Sequence, residues 1–277
     1  MDWSPSKIIR IEAGSVGIST NDLKALLNLY GIADASRTDE LVELAKTAKE
    51  HGWWSKYREV LSKGNGQELL ALIGYESAAT IIRNFESLLV PGLLQTEEYA
   101  RTVLPQFAGR TQTERADTDH AEDDDDEQDT QDHKRAEKLL EIRMERQAYL
   151  LRSVEPPLMF FVLDEAVVRR EVGGRPVMRR QINRLLELAH RPYVTIEVVP
   201  FTTGAYPGLR GPFVVLEFRA AADDDVLYLE NTGGDLIRRE EPQQVLPYRE
   251  TFEQLRKSSL GPEGTKAFLA KIASEMT

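Results

Sequence analysis

The sequence predicts an α+β fold: an all-helical opening followed by a domain with a small, mainly antiparallel sheet. Three observations carry that expectation. Up to about residue 105, apolar residues recur at helical spacing. After about residue 133, helical stretches alternate with short β-branched and aromatic runs. Between them, Gln106 to Asp132 is acidic and almost without apolar side chains.

In the opening, Ser4-Pro5 reads as an N-cap with proline at the first helical position. Ile8 and Ile11 lie on one face, and Gly14 ends the helix. Ser19 and Asp22 form a capping-box pattern ahead of Leu23, Leu26, Leu27 and Tyr30, with a stop at Gly31. A further helix is expected from Asp39 to His51 through Leu41, Leu44, Ala45 and Ala48, with Trp53, Trp54 and Tyr57 after it. Thr80 to Glu86 is short and mixed, and Leu88 to Leu94 reads as an apolar turn. Thr96 caps a helix through Val103, with Glu97 and Glu98 at its positive end.

The acidic segment cannot bury enough surface to offset its ordering entropy, so it reads as a disordered loop that divides the chain. Residues 114–132 hold eleven acidic residues and one basic, a net of −10 out of the chain's −11. The remainder is nearly neutral, and its charge does not argue against nucleic acid as a partner. The EF-hand spacing for calcium is missing.

Beyond it, Lys134 to Leu151 forms an amphipathic helix through Ala136, Leu140, Met144, Ala148 and Leu151. Leu158 to Leu163 is a buried strand. Met178, Ile182, Leu185, Leu186 and Ala189 mark a helix stopped before Pro192. Val194–Val198, Phe213–Phe218 and Val226–Leu229 are strands, with sequential strands expected to pair antiparallel. Two helices follow, at about residues 243–258 and 262–275. Pro247 is expected to kink or restart the first.

Composition narrows the chemistry. The 277 residues include no cysteine, which excludes disulfides, thiolate metal sites and a cysteine nucleophile. The four histidines, His51, His120, His133 and His190, lack zinc-site spacing, so no metal is expected. No apolar run approaches the roughly 20 residues of a membrane span. With no signal peptide at the N-terminus, a cytoplasmic location is expected. Dinucleotide, P-loop, zincin and nucleophile-elbow motifs are missing, so neither a cofactor nor catalysis is expected. Asp164, Glu165, Glu230 and Asp235 could converge as an acid–base set, with capping or solvated roles the simpler reading. His190 suits the negative end of its helix.

The stretch Trp3-Ser-Pro-Ser-Lys-Ile-Ile-Arg-Ile-Glu-Ala-Gly14 resembles the recognition helix of a phage-repressor-type (XRE/Cro) helix-turn-helix. Ser4, Ser6, Lys7 and Arg10 lie on its open end or outer face, where such a helix meets base edges and phosphates. Four further stretches follow in order. They are Phe85-Glu-Ser-Leu-Leu-Val-Pro-Gly-Leu-Leu-Gln-Thr-Glu-Glu-Tyr-Ala-Arg101, Val162 to Arg170 with Gly173-Gly174, Pro200 to Phe213 with Leu216-Glu-Phe218, and Tyr228-Leu-Glu230 with Gly234-Asp235. Together they resemble actinobacterial regulators that join an XRE-type helix-turn-helix to a C-terminal antitoxin-like (WhiJ-like) domain.

That resemblance implies a DNA-binding transcriptional regulator, often encoded beside a small partner protein, with the C-terminal domain sensing a ligand or binding that partner. It divides the chain into a partial helix-turn-helix (1–35), a helical connector leading into the C-terminal domain (36–105), the acidic loop (106–132) and an α+β effector or partner-binding domain (133–277). Two helices that the group carries ahead of Trp3 are not in this sequence. The expectation is either a start upstream of Met1 or a truncated regulator; DNA is a partner where those helices are present. The alternative is an interaction protein that does not touch DNA. A homodimer is expected from helix-turn-helix geometry. A ligand or partner pocket is expected where the Leu88–Leu94 turn, with Gln95 and Tyr99, faces the 203–212 loop, with Tyr206 and Arg210.

Overall fold

The computed structural model describes residue 11 and residues 18–32, 34–50, 53–57, 61, 66–108, 125–219, 225–230, 236–238 and 242–276. The chain forms two compact units, Met1–Gly74 and Tyr75–Thr277.

In the first unit, helix α1 spans Thr20–Leu29. The Ser19 hydroxyl accepts the Asp22 N–H at 3.1 Å, as the capping pattern predicts. Leu26 and Leu27 are buried. The helix ends at Tyr30, and Gly31 takes φ 75°. The Gly31 and Ile32 N–H groups turn back onto the Asn28 and Leu27 carbonyls at 3.1 and 2.9 Å. This Schellman closure requires a left-handed residue, which glycine supplies without strain. Helix α2 spans Ala35–Glu50, starting a turn earlier than the apolar spacing suggests. The reason is Asp34, whose carboxylate accepts the Arg37 N–H at 2.7 Å and so sets the start. Trp53–Tyr57 is one 3-10 turn, with the Trp53 ring edge-on to Trp54 and Tyr57 at 5.8 and 6.1 Å. Helix α3, Gly66–Ala78, carries the chain into the second unit.

The second unit is α+β, built on a six-stranded mixed sheet. Its strands are β1 (Ile81–Glu86), β2 (Leu158–Asp164), β3 (Val194–Val199), β4 (Phe213–Glu217), β5 (Val226–Leu229) and β6 (Leu236–Arg238). Their order is β3-β2-β1-β4-β5-β6. Helices α4 (Glu97–Val103), α5 (Pro105–Ala108) and α6 (Asp125–Leu151) connect β1 to β2, and α7 (Glu165–Arg169) and α8 (Arg175–Leu188) connect β2 to β3. Helices α9 (Pro242–Lys257) and α10 (Gly261–Glu275) close the chain.

Several expectations are corrected here. Residues 81–86 form a central strand, paired with β2 on one side and β4 on the other. The chain on both sides of the acidic segment therefore builds one sheet, and that segment interrupts a unit instead of dividing the molecule. Helix α6 begins at Asp125, so the last acidic residues are helical. Antiparallel pairing holds for β1–β4, β4–β5 and β5–β6, but β1–β2 and β2–β3 are parallel. The intervening helices explain this, since a parallel return needs a long crossover. Helix α9 runs on through Pro247 as one element; the proline is its sixth residue and forgoes a single N–H, the one that would reach the Gln243 carbonyl.

The sheet has two faces with different fillings. On one, Phe85, Val162, Val199, Phe213, Val215 and Leu227 pack with Val245, Phe252 and Leu255 of α9 in the main core. Alternation sends Ile82, Asn84 and Glu86 of β1 to the other face, in rows with Phe161 of β2, Val214 of β4 and Tyr228 of β5. Edge strand β3 is closed by α10. The Val198 N–H donates to the Thr265 hydroxyl at 2.9 Å, and the Val198 carbonyl accepts the Leu260 N–H at 2.9 Å. Thr265 is fully buried. Thr265→Val keeps the shape and removes the acceptor, leaving a buried N–H unpaired. We expect a loss of about 1–3 kcal/mol in urea unfolding, with Thr265→Ser close to the parent.

Candidate functional site

The Leu88–Leu94 turn opens with Pro91 and closes in the short 3-10 turn Gly92–Leu94. Three buried glutamines fix it. Gln95 donates to the Val90 carbonyl at 2.7 Å. Gln147 of α6 donates to the Gly92 and Gln95 carbonyls at 2.8 and 2.9 Å. Gln181 of α8 donates to the Leu94 carbonyl at 2.8 Å and accepts the Thr96 N–H at 2.7 Å. The Tyr99 hydroxyl accepts the Val90 N–H at 3.1 Å; burial raises its pKa. A loop lying inside a protein needs this kind of partner for each backbone group.

Next to the turn lies a polar recess. Arg146 grips Glu76 with two hydrogen bonds of 2.6 Å, and the Glu76 side chain is only 2% exposed. Burial works against the Arg146 charge, but Glu76 more than compensates, and its pKa rises. Arg143, one turn away, donates to the neutral Gln95 Oε1 at 2.6 Å. Burial, then the like charge of Arg146, lowers its pKa to about 10, against the pull of Glu230, Tyr228 and Tyr99. One step along β1 from Phe85 of the core row, Glu86 faces the same recess. Burial pushes its carboxyl well above the ordinary range, and Glu230 pushes it the same way, while the Asn84 side chain draws it down. Glu230 is exposed, Glu86 is half-buried and Asn84 is buried.

The four residues expected to line one pocket are separated. Gln95 and Tyr99 are buried and hold the turn beside the recess. Tyr206 lies on the opposite face of the sheet, its ring edge-on to Phe85 at 6.2 Å and its hydroxyl donating to Asp164. Burial, then that carboxylate, raises its pKa. Arg210 is exposed on the short 3-10 turn that follows. The physical reason is the period of the strand: Phe85 and Glu86 point to opposite faces, and the two groups follow them.

Of the candidate acid–base set, Asp164 and Glu165 take structural roles, while Glu230 lies apart from them, beside Glu86. Asp164 caps α7 through the Ala166 N–H at 2.7 Å. Glu165 pairs with Arg169 and accepts the Phe201 N–H at 2.7 Å. His190 sits just past α8, with Nδ1 2.7 Å from the Leu186 carbonyl. Ser4, Ser6, Lys7, Arg10 and Asp235 lie outside the described residues. Among the described residues no group of three or more potential metal ligands converges, and no helix is long and apolar enough to cross a membrane.

Asn84, Glu86, Arg143 and Arg146 were not singled out by the sequence. A signal did exist: Arg143 and Gln147 fall on the same stripe of α6 as Leu140 and Leu151, where apolar residues belong.

A family profile described as Domain of unknown function (DUF5753) matches residues 69–123 and 118–271. No curated protein and no solved structure matches the chain.

Two outcomes follow from this geometry. Arg146→Met strands the Glu76 carboxylate and is expected to cost about 3–5 kcal/mol in urea unfolding, while the double change with Glu76→Leu recovers most of it. Glu86 has a folded-state pKa above its unfolded value, so the folded state binds the extra proton. Stability conferred by this group is full at low pH and is lost as pH rises through the folded pKa. Glu86→Gln should flatten that decline and unfold at higher urea than the parent above neutral pH.

Proposed function

The chain belongs to the DUF5753 family, and we propose that it is a transcription regulator of the XRE-linked, antitoxin-like kind. In this reading the first unit serves DNA, and the α+β unit binds an effector or a small partner protein encoded nearby. One observation supports it above the others. Arg143, Glu86 and Glu230 gather in a partly desolvated recess, where the fold gains nothing from charge that an apolar filling would not supply. A ligand or partner that meets those groups gives them a purpose.

The DNA role rests on the resemblance of Trp3–Gly14 to a recognition helix, with Ser4, Ser6, Lys7 and Arg10 as the contacting side chains. A cytoplasmic location and a dimer matching paired half-sites go with it. No catalytic step is assigned.

The test is a titration of the full chain against the DNA upstream of its own gene at two salt concentrations. With roughly four phosphate contacts, affinity should fall about 100-fold between about 50 and about 200 mM salt. Lys7→Ala with Arg10→Ala should reduce the salt slope by about 2. Binding that is absent at low salt, with the neighbouring small protein still co-purifying, would replace this reading with that of an interaction protein that leaves DNA alone.

A further inference from the structure

Helix α8 has two unlike sides. Met178, Ile182, Leu185 and Leu188 are buried on one. On the other, Arg175, Arg179, Arg180 and Asn183 are exposed, with Arg184 half-buried on the flank and Glu187 exposed in the last turn. The helix holds four arginines, one glutamate, no lysine and no aspartate. The concentration reaches past its ends: residues 169–191 carry seven arginines against two glutamates, in a chain of net charge −11. Along the helix axis the four α8 arginines span about 14 Å. The element beneath them is fixed, since Gln181 on its buried side holds the Leu94 carbonyl and the Thr96 N–H.

The carboxylates near this face hold it loosely. Arg175 pairs with Glu171 at 3.0 Å, Arg184 with Glu187 at 3.4 Å and Arg180 with Glu98 of α4. Those glutamate side chains are 48%, 69% and 53% exposed. Exposed pairs of this kind add little to stability, so a phosphate offering the same two-oxygen geometry competes for the guanidinium. Arg179 pairs with no carboxylate among the described residues. The exposed large apolar side chains of the described residues all lie elsewhere than on α8. A protein partner is held by an apolar or aromatic anchor at the centre of its footprint, where charged residues are depleted. A polyphosphate backbone needs no such anchor; it is met by arginine and by neutral amides such as that of Asn183.

We propose that the outer face of α8 is a nucleic-acid backbone contact, with Arg175, Arg179 and Arg180 taking phosphates. The inference rests on the reading of the chain as a DNA-linked regulator, and adds to it a contact made by the α+β unit. Phosphate contacts fix orientation and add affinity without reading bases, so this one acts on any sequence.

Fluorescence anisotropy of the full chain with two short labelled duplexes tests this, one from the DNA upstream of its own gene and one of unrelated sequence. The unrelated duplex should bind with a Kd on the order of 1–100 μM at physiological salt. Arg175→Ala with Arg179→Ala should lower the salt slope for both duplexes by about 2, and weaken binding about 60-fold at about 100 mM salt. Lysine at the same two positions keeps the charge and should restore the slope. Glu98→Gln releases Arg180 and should tighten binding to both duplexes. Circular dichroism and urea unfolding check that each variant folds as the parent does. Poly-L-glutamate at matched charge concentration stands for an acidic protein partner. An unchanged slope and affinity in the double alanine variant overturns the contact, as does tighter binding of polyglutamate than of the unrelated duplex. So does no binding of the unrelated duplex at about 50 mM salt. A chain that prefers its upstream DNA through Lys7 and Arg10 and ignores the α8 changes loses the contact and keeps the regulator reading. A chain that binds both duplexes equally through α8, indifferent to Lys7→Ala with Arg10→Ala, does the reverse.

Discussion

The six residues of β1 are the constraint on which the second unit depends. They pair with β2 in parallel and with β4 antiparallel, so both halves of the sheet exist only where Ile81–Glu86 lies between them. Chain-closure entropy grows slowly with length, by roughly 0.6 kcal/mol per doubling. A long acidic insertion between β1 and β2 is therefore a modest burden on a sheet already held by these ladders. The same strand divides the unit chemically. Phe85 enters the aromatic core with Phe213 and Phe252, while Asn84 and Glu86 floor the recess.

What the sequence made legible were elements whose signal is local. The Ser19 and Thr96 caps, the Gly31 stop, the run Leu158–Leu163 and the strand Val226–Leu229 each depend on neighbours a few residues away, and each appears in the structure. Residues 81–86 were not legible, because arginine, asparagine and glutamate interrupt the apolar alternation. Arg83 is met by partners far along the chain, Glu217 and Glu253, while Asn84 and Glu86 meet each other. Parallel pairing of β2 and β3 was hidden for a similar reason, since it belongs to the crossover and not to either strand's composition. The residues expected at one pocket divide between the two faces of the sheet. Gln95 and Tyr99 border the recess, while Tyr206 follows Phe85 to the other face, a distinction that only the strand register supplies.

Polar groups inside this unit fall into two kinds. Gln95, Gln147 and Gln181 meet backbone carbonyls and hold the turn in place. Glu76 and Arg146 meet each other with both oxygens occupied. These are closed arrangements, and closed arrangements specify structure. Asn84, Glu86 and Arg143 differ: an acceptor without a donor, a carboxyl beside a carboxyl, and a guanidinium given a neutral partner. That contrast within one small region separates scaffold from candidate site.

The cover on β3 has a consequence for the molecule among its copies. The Val194 N–H turns back to the Arg191 carbonyl at 3.0 Å, and both backbone groups of Val198 are taken by Thr265 and Leu260. A strand seeking to add itself to this side finds these rungs already occupied. At those rungs the border is answered by the chain itself, and a copy approaching there meets helix and turn in place of open peptide groups.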